Sequence, residues 1–268
     1  MGVIMKFAAL SIVAFLAASS SFAASPACSY KAGDKVTFTK PADYLPIAKS
    51  NKAALGDGKG EFETTADYEK RLKAASAALQ IKSVVVEHPQ ESEDPFSYVK
   101  YDADTQKFKI FIGWIVGTLD GIDYRHMDKV VLSETLVSAD KYIATNSYGA
   151  QAEVDRKVSD VIAIKSWNTF PKDIWWKLPR TADGDEGYSI YVPVPIERAK
   201  TFESRLVTGV EILPKSPYYS TDTYRIRPTM ERTDDYTYRY EQFDGVVLCA
   251  VLADKDGTVV ATVQPLIK

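Results

Sequence analysis

Hydrophobic positions along the chain change their spacing twice. At the start, Phe7 to Ala18 form an apolar run in which Ser11 is the only polar residue, preceded directly by Lys6. Further on, Tyr68, Leu72, Ala75 and Leu79 recur at helical spacing, which predicts a helix with one buried face. Thr64 or Thr65 can cap its start and Asp67 completes a Thr-x-x-Asp box. On the outer side, Asp67 with Arg71 and Glu69 with Lys73 stand four apart in the favourable acid-first order.

Beyond Leu79 the spacing falls to two, and β-branched and aromatic residues gather in short segments bounded by turn residues. Strands are expected at Ile81 to Glu87, Phe96 to Tyr101, Lys107 to Val116, Lys129 to Thr135, Lys141 to Thr145, Gln151 to Val158, Val161 to Ser166, Tyr188 to Val192 and Val207 to Leu213. The second and third of these form a hairpin through Asp102-Ala103-Asp104-Thr105. A second, short helix is expected after Pro195, with Ile196, Ala199, Phe202 and Leu206 along one side. The clearest hairpin joins Val246 to Ala253 with Thr258 to Gln264 through Asp254-Lys255-Asp256-Gly257. Because strands follow one another without a helix between each, the fold class is α+β with a mainly antiparallel sheet.

The opening apolar run is shorter than the roughly 20 residues that cross a bilayer, and small residues at Ser21 and Ala23 suit a peptidase cut after Ala23. Residues 1–23 are therefore expected to be a secretory signal peptide. No linker or repeat divides the rest, so residues 24–268 are expected to be one domain, periplasmic or secreted, with no transmembrane segment once the signal is removed. Export changes the meaning of the two cysteines: in an oxidising compartment Cys28 and Cys249 can persist as a disulfide, while two cysteines and two histidines leave little for a metal site or cluster. No metal and no cofactor are expected.

Residues Gly60-Glu61-Phe62-Glu63-Thr64-Thr65-Ala66-Asp67-Tyr68-Glu69-Lys70-Arg71 resemble an E-F-E-T-x-x-x-[FY]-x-x-R segment of exported bacterial proteins of uncharacterised function. Asn146-Ser147-Tyr148-Gly149-Ala150 and Arg227-Pro228-Thr229 add to it. The resemblance implies an envelope or secreted protein and carries no catalytic residue. Capping alone also accounts for the segment, with an acidic first turn and with Phe62 and Tyr68 anchoring the two sides of the cap.

The chain carries 33 Lys plus Arg against 36 Asp plus Glu, so no general field favours nucleic acid. For catalysis or metal binding, the loop Asp120 to Asp128 holds Asp123, His126 and Asp128, which could converge on one ion; a solvated turn whose aspartates bond to their own backbone is the better reading. Asp183-Gly184-Asp185-Glu186-Gly187 lacks the spacing of a calcium loop and reads as an acidic turn. No G-x-S-x-G, H-E-x-x-H or G-x-x-x-x-G-K-[ST] occurs.

Aromatic clusters are the more informative feature. Trp175-Trp176 is one. The other comprises Tyr218, Tyr219, Tyr224, Tyr236, Tyr238 and Tyr240, interleaved with Arg225, Arg227, Arg232, Arg239, Asp222, Asp234 and Asp235. Tyr236, Tyr238 and Tyr240 fall on one face if the segment is extended, and such a face suits a glycan or a protein partner. The ligand-binding candidates are Trp175, Trp176, Tyr218, Tyr219, Tyr236, Tyr238 and Tyr240. The expected function is an exported accessory or binding protein rather than an enzyme, the alternative being an envelope hydrolase acting on glycan or peptide through carboxylates.

Overall fold

The computed structural model describes residues 27–56, 58–88, 97–112, 129–166, 189–202, 206–229 and 232–263. The expected signal peptide, the Asp120 to Asp128 loop, Trp175 and Trp176, and the Asp183 to Gly187 turn lie outside these residues.

Alternating side chains build two sheets. The larger has the order β1 (Val84–His88), β7 (Val207–Ile226), β8 (Asp234–Ala253), β5 (Gln151–Ser166) and β4 (Lys129–Thr145), with β9 (Val259–Val263) pairing with β8. The smaller joins β2 (Ser97–Asp102), β3 (Lys107–Ile112) and β6 (Ser189–Pro193). Every pairing is antiparallel except β5 with β8, which run parallel from Asp155↔Asp234 to Ser166↔Gly245. The α+β, mainly antiparallel architecture agrees with the sequence pattern.

Several strands are longer than the sequence divisions. Lys129 to Thr135 and Lys141 to Thr145 are one strand, β4, as are Gln151 to Val158 and Val161 to Ser166 in β5. β7 continues through Pro214 and Pro217 to Ile226 by way of a register shift between Pro214 and Tyr219, because an irregularity of this kind absorbs the prolines' missing donors. The β8–β9 hairpin forms as expected. Gly257 closes its turn at φ +74°, where an added Cβ would meet the Val36 carbonyl oxygen at 2.4 Å.

Three helices lie among the described residues. α1 (Pro41–Ala54) is absent from the sequence reading, since its two prolines and its lysines obscure the apolar positions. It packs on the large sheet through Tyr44 and Ala48, and the Tyr44 ring meets Phe243 edge-on at 4.9 Å. α2 (Thr65–Ala78) is capped by Thr64, whose hydroxyl oxygen accepts from the Asp67 N–H. Its stripe at Tyr68, Leu72, Ala75 and Leu79 is half-buried; no residue of this helix is fully buried. Phe62 is 94% exposed and anchors nothing, which corrects its expected role at the cap. Arg71 grips both oxygens of Glu63 at 3.0 Å and donates to the carbonyls of Leu55 and Gly58. The Glu63 and Arg71 of the resembling segment are thus the clasp of the α1–α2 connection. α3 (Ile196–Phe202) follows Pro195 as expected.

One core joins the two sheets and α1, with Phe108, Leu132, Ile164, Ile212 and Phe243 as its largest buried apolar side chains. Each such side chain contributes about 1.5–3 kcal/mol relative to exposure. The two ends of the large sheet, β1 and β4, approach one another, and Val86, Val130 and Leu132 meet in this core. On the opposite face a smaller cluster of Val36, Val85, Cys249, Val251, Ala253 and Val259 is covered by Cys28, Tyr30 and Phe38 of the N-terminal segment. That segment is clipped to the sheet by Val36 N–H to the Gly257 carbonyl (2.8 Å), Thr39 N–H to Val85 (2.9 Å) and Val259 N–H to Asp34 (2.8 Å). The Cys28–Cys249 disulfide, Cα to Cα 5.4 Å, closes it covalently across 221 residues. Among the described residues no helix is long and apolar enough to cross a membrane.

Candidate functional site: a tyrosine strip on the large sheet

The sequence Tyr236-Thr237-Tyr238-Arg239-Tyr240 is extended in β8, so its tyrosines share one face and Thr237 and Arg239 take the other. Registers on both sides extend this face into rows, because directly opposed residues point the same way. Tyr224 of β7, Tyr238 of β8, Ser159 of β5 and Leu136 of β4 make one row. Ile226, Tyr236, Lys157 and Ala139 make the next, and Asp222, Tyr240, Val161 and Glu134 the third.

The rings form a continuous strip. Tyr224 and Tyr238 are nearly parallel, with centroids 6.5 Å apart and planes 11° from each other. Tyr236 stands edge-on to Tyr238 at 6.4 Å, and Tyr240 is tilted against it at 6.3 Å. Cations flank both ends: Lys157 lies 5.2 Å from the Tyr236 centroid and Lys129 5.3 Å from that of Tyr240. Lys129 is itself buried and pairs with Asp222 at 3.3 Å. Tyr240, at one end, is buried at 4% exposure together with Val161 and Ala163; Tyr224, Tyr236 and Tyr238 are half-buried and form the more accessible part.

The sequence candidates therefore divide. Tyr236, Tyr238 and Tyr240 come together with Tyr224, whereas Tyr218 and Tyr219 belong to the opposite face. Tyr218 is buried at 4% exposure, close enough to Tyr44 to help raise its phenol, which burial pushes up to about 12. Tyr219 opposes Phe243, donates to Glu241 at 2.8 Å and lies beneath Lys49 and Lys52; burial first, and Glu241 second, push its phenol up to about 12. Both are packing residues beside α1, which corrects their assignment to an exposed aromatic surface. Lys129 and Lys157 carry no signal in the sequence, since only the pairing of β5 beside β8, and of β4 beside β5, brings them to the strip.

The face opposite the strip is ionic. Asp140, Arg156 and Asp235 form a row across β4, β5 and β8, and Arg156 grips Asp140 with two donors. Arg225 donates to both oxygens of Asp235 at 2.8 and 2.7 Å, and Tyr142 adds a third hydrogen bond at 3.0 Å. Hydrogen bonding to Arg225 outweighs the burial of Asp235 and holds its carboxyl below the usual range. Asp235 is thereby satisfied within the sheet, while Arg225 and Arg156 keep about half of their side chains in water, 51% and 47%.

Among the described residues three carboxylates are fully buried: Asp235, Asp244 and Glu211. Burial raises the Asp244 carboxyl. Asp235 and Asp244 are nine residues apart along one strand, on the order of 30 Å, whereas paired glycosidase carboxyls stand about 5–9.5 Å apart. Glu211 lies across from Cys249, where its Oε2 accepts from the Ser29 N–H at 2.8 Å and touches Cys249 Sγ at 3.4 Å. These sulfur atoms, grouped with Glu211, are bonded to each other and so are not thiolate ligands.

The chain matches no protein-family model, no curated protein and no solved structure.

Proposed function

We propose that this is an exported binding protein that holds an extended envelope glycan along the tyrosine strip. The observation that carries the reading is the contiguity of Tyr236 and Tyr238 along β8 with Tyr224 beside Tyr238 on β7, half-buried rings that continue into the buried Tyr240. Flat rings with polar tips give a ligand contact area at low entropy cost, since each has only two rotatable side-chain angles. The rings supply apolar contact area for the apolar faces of a saccharide chain, and the exposed Lys157 and Asp222 beside them supply a donor and an acceptor for its hydroxyls. The mixed charges at the strip offset one another, which disfavours a polyanion such as nucleic acid.

Two further features support the compartment. Cys28 and Cys249 form the bond that an oxidising milieu preserves, and the opening residues have the pattern of a cleaved export signal. The hydrolase alternative gains less support, because among the described residues the three buried carboxylates are spread over the fold rather than paired.

The test is co-sedimentation of the mature chain with insoluble peptidoglycan, and in parallel with insoluble neutral polysaccharide. Wild-type protein should pellet with one of them, and Tyr238→Ala should lose most of that retention while Tyr219→Ala, on the opposite face, keeps it. Equal retention of the two variants removes the strip as the binding site. Retention of neither glycan, with specific capture of an envelope protein, replaces the glycan by a protein ligand.

A further inference from the structure

β4 is the last strand of the large sheet, and from Ser133 to Thr145 its outer edge has no backbone partner among the described residues. An open edge of this length is a template for another strand unless charge or irregularity blocks it. β4 carries both devices: register shifts between Val131 and Ser133 and between Leu136 and Ser138, and the exposed charges Glu134, Asp140 and Lys141. It also exposes two large apolar side chains at the second shift, Leu136 at 56% and Val137 at 51%. A strand protected only against misuse gains nothing from leucine and valine in that place.

One antiparallel register turns these features from obstacles into matches. With a twofold axis between Val137 and Ser138, Glu134 stands opposite Lys141 of the second copy, Thr135 opposite Asp140 and Leu136 opposite Ala139. The irregularity at Val137 is what keeps each pair on a common face. Glu134, Leu136, Ala139 and Lys141 oppose Val161, Ser159, Lys157 and Asp155, alternate residues of β5, so all four lie on the tyrosine side. Registers centred on Asp140 or on Lys141 instead set aspartate against aspartate or lysine against lysine, which is unfavourable.

We infer that the chain forms a twofold homodimer by antiparallel pairing of β4 with β4 in this register. The proposal is independent of what the tyrosines bind. The two large sheets become one continuous sheet, and the twofold axis, perpendicular to it, leaves both tyrosine strips on the same face. The two β8 strands are then five strand spacings apart, about 24 Å at 4.8 Å per spacing. A long ligand with repeating units is thereby held at two places by one dimer.

Because both native cysteines are bonded to each other, a single introduced cysteine is the one free thiol of the mature, oxidised chain. In a Ser138→Cys variant the two new thiols flank the axis, whereas in Thr145→Cys they are separated by most of the paired length. Mild oxidation should link Ser138→Cys into covalent dimers at least about tenfold faster than Thr145→Cys. Sedimentation equilibrium of the unaltered protein should show a monomer–dimer equilibrium, weakened about tenfold or more by Leu136→Glu, an exposed position whose change leaves the core intact. A strictly monomeric unaltered protein, equal linking at the two positions, or a dimer indifferent to Leu136→Glu each overturns the inference.

Discussion

Replacing Asp235 by asparagine isolates the ionic face of the sheet from its shape. The carboxylate is 1% exposed and accepts from Arg225 twice, at 2.8 and 2.7 Å, and from Tyr142 at 3.0 Å. Asparagine retains an acceptor for one of these bonds but presents an amide donor toward Arg225 and removes the negative charge that also answers Arg156. Hydrogen bonds to charged groups contribute about 1.5–3 kcal/mol. Arg225 keeps 51% of its side chain in water, which recovers part of the guanidinium's hydration and argues for the lower half of that range. The expected loss is about 2 kcal/mol at neutral pH, read as a lowered urea midpoint with an unchanged denaturant slope. Its pH dependence has a definite sign. The Asp235 carboxyl is held below its unfolded value, so its contribution is complete above the unfolded carboxylate range and fades as pH falls through the lower, folded one. Wild type and variant should therefore differ most at neutral pH and converge in acid. A gap that stays constant between neutral and strongly acidic conditions, or a variant as stable as wild type at neutral pH, refutes this account of the network.

Three further outcomes follow from the N-terminal clasp and the helix connection. Replacing Cys28 and Cys249 together by alanine opens a loop closed across 221 residues, for which chain entropy gives a loss of about 5 kcal/mol, measurable by urea unfolding against the oxidised parent. Gly257→Ala places a Cβ at 2.4 Å from the Val36 carbonyl oxygen in a left-handed turn, so a loss of about 2–4 kcal/mol is expected by the same assay; a neutral result contradicts the clip between the β8–β9 turn and the N-terminal segment. Thr64→Ala removes the acceptor of the Asp67 N–H and should cost about 1 kcal/mol, the usual worth of such a cap.

Local signals in the sequence carried through to the structure, and non-local ones did not. Thr64 with Asp67 and the period of Tyr68, Leu72, Ala75 and Leu79 define α2, because a cap and a repeat are properties of adjacent residues. The Asp254 to Gly257 turn likewise announces the β8–β9 hairpin. α1 was hidden by Pro46 inside the helix and by lysines among its apolar residues, so it is held by packing against β7 and β8 rather than by intrinsic preference. The continuity of β7 through Pro214 and Pro217 was hidden for a similar reason: prolines punctuate a sequence, yet a register shift lets a strand pass through them. Within the site, the shared face of Tyr236, Tyr238 and Tyr240 was legible because it depends on alternation alone. What separated Tyr218 and Tyr219 from them was the shift before Tyr219, and what brought Lys157 to Tyr236 was a parallel pairing between strands remote in sequence. Neither leaves a mark in the pattern of a single chain.

In the proposed function, the half-buried tyrosines on one face of the large sheet are where this protein meets its ligand. Nuclear magnetic resonance of residues 24–268, with isotope label confined to tyrosine rings and titrated with soluble peptidoglycan fragments, tests it directly. Shifts concentrated in Tyr224, Tyr236 and Tyr238, with Tyr44 and Tyr218 unmoved, are the predicted result; saturable binding that leaves those three rings unshifted contradicts it.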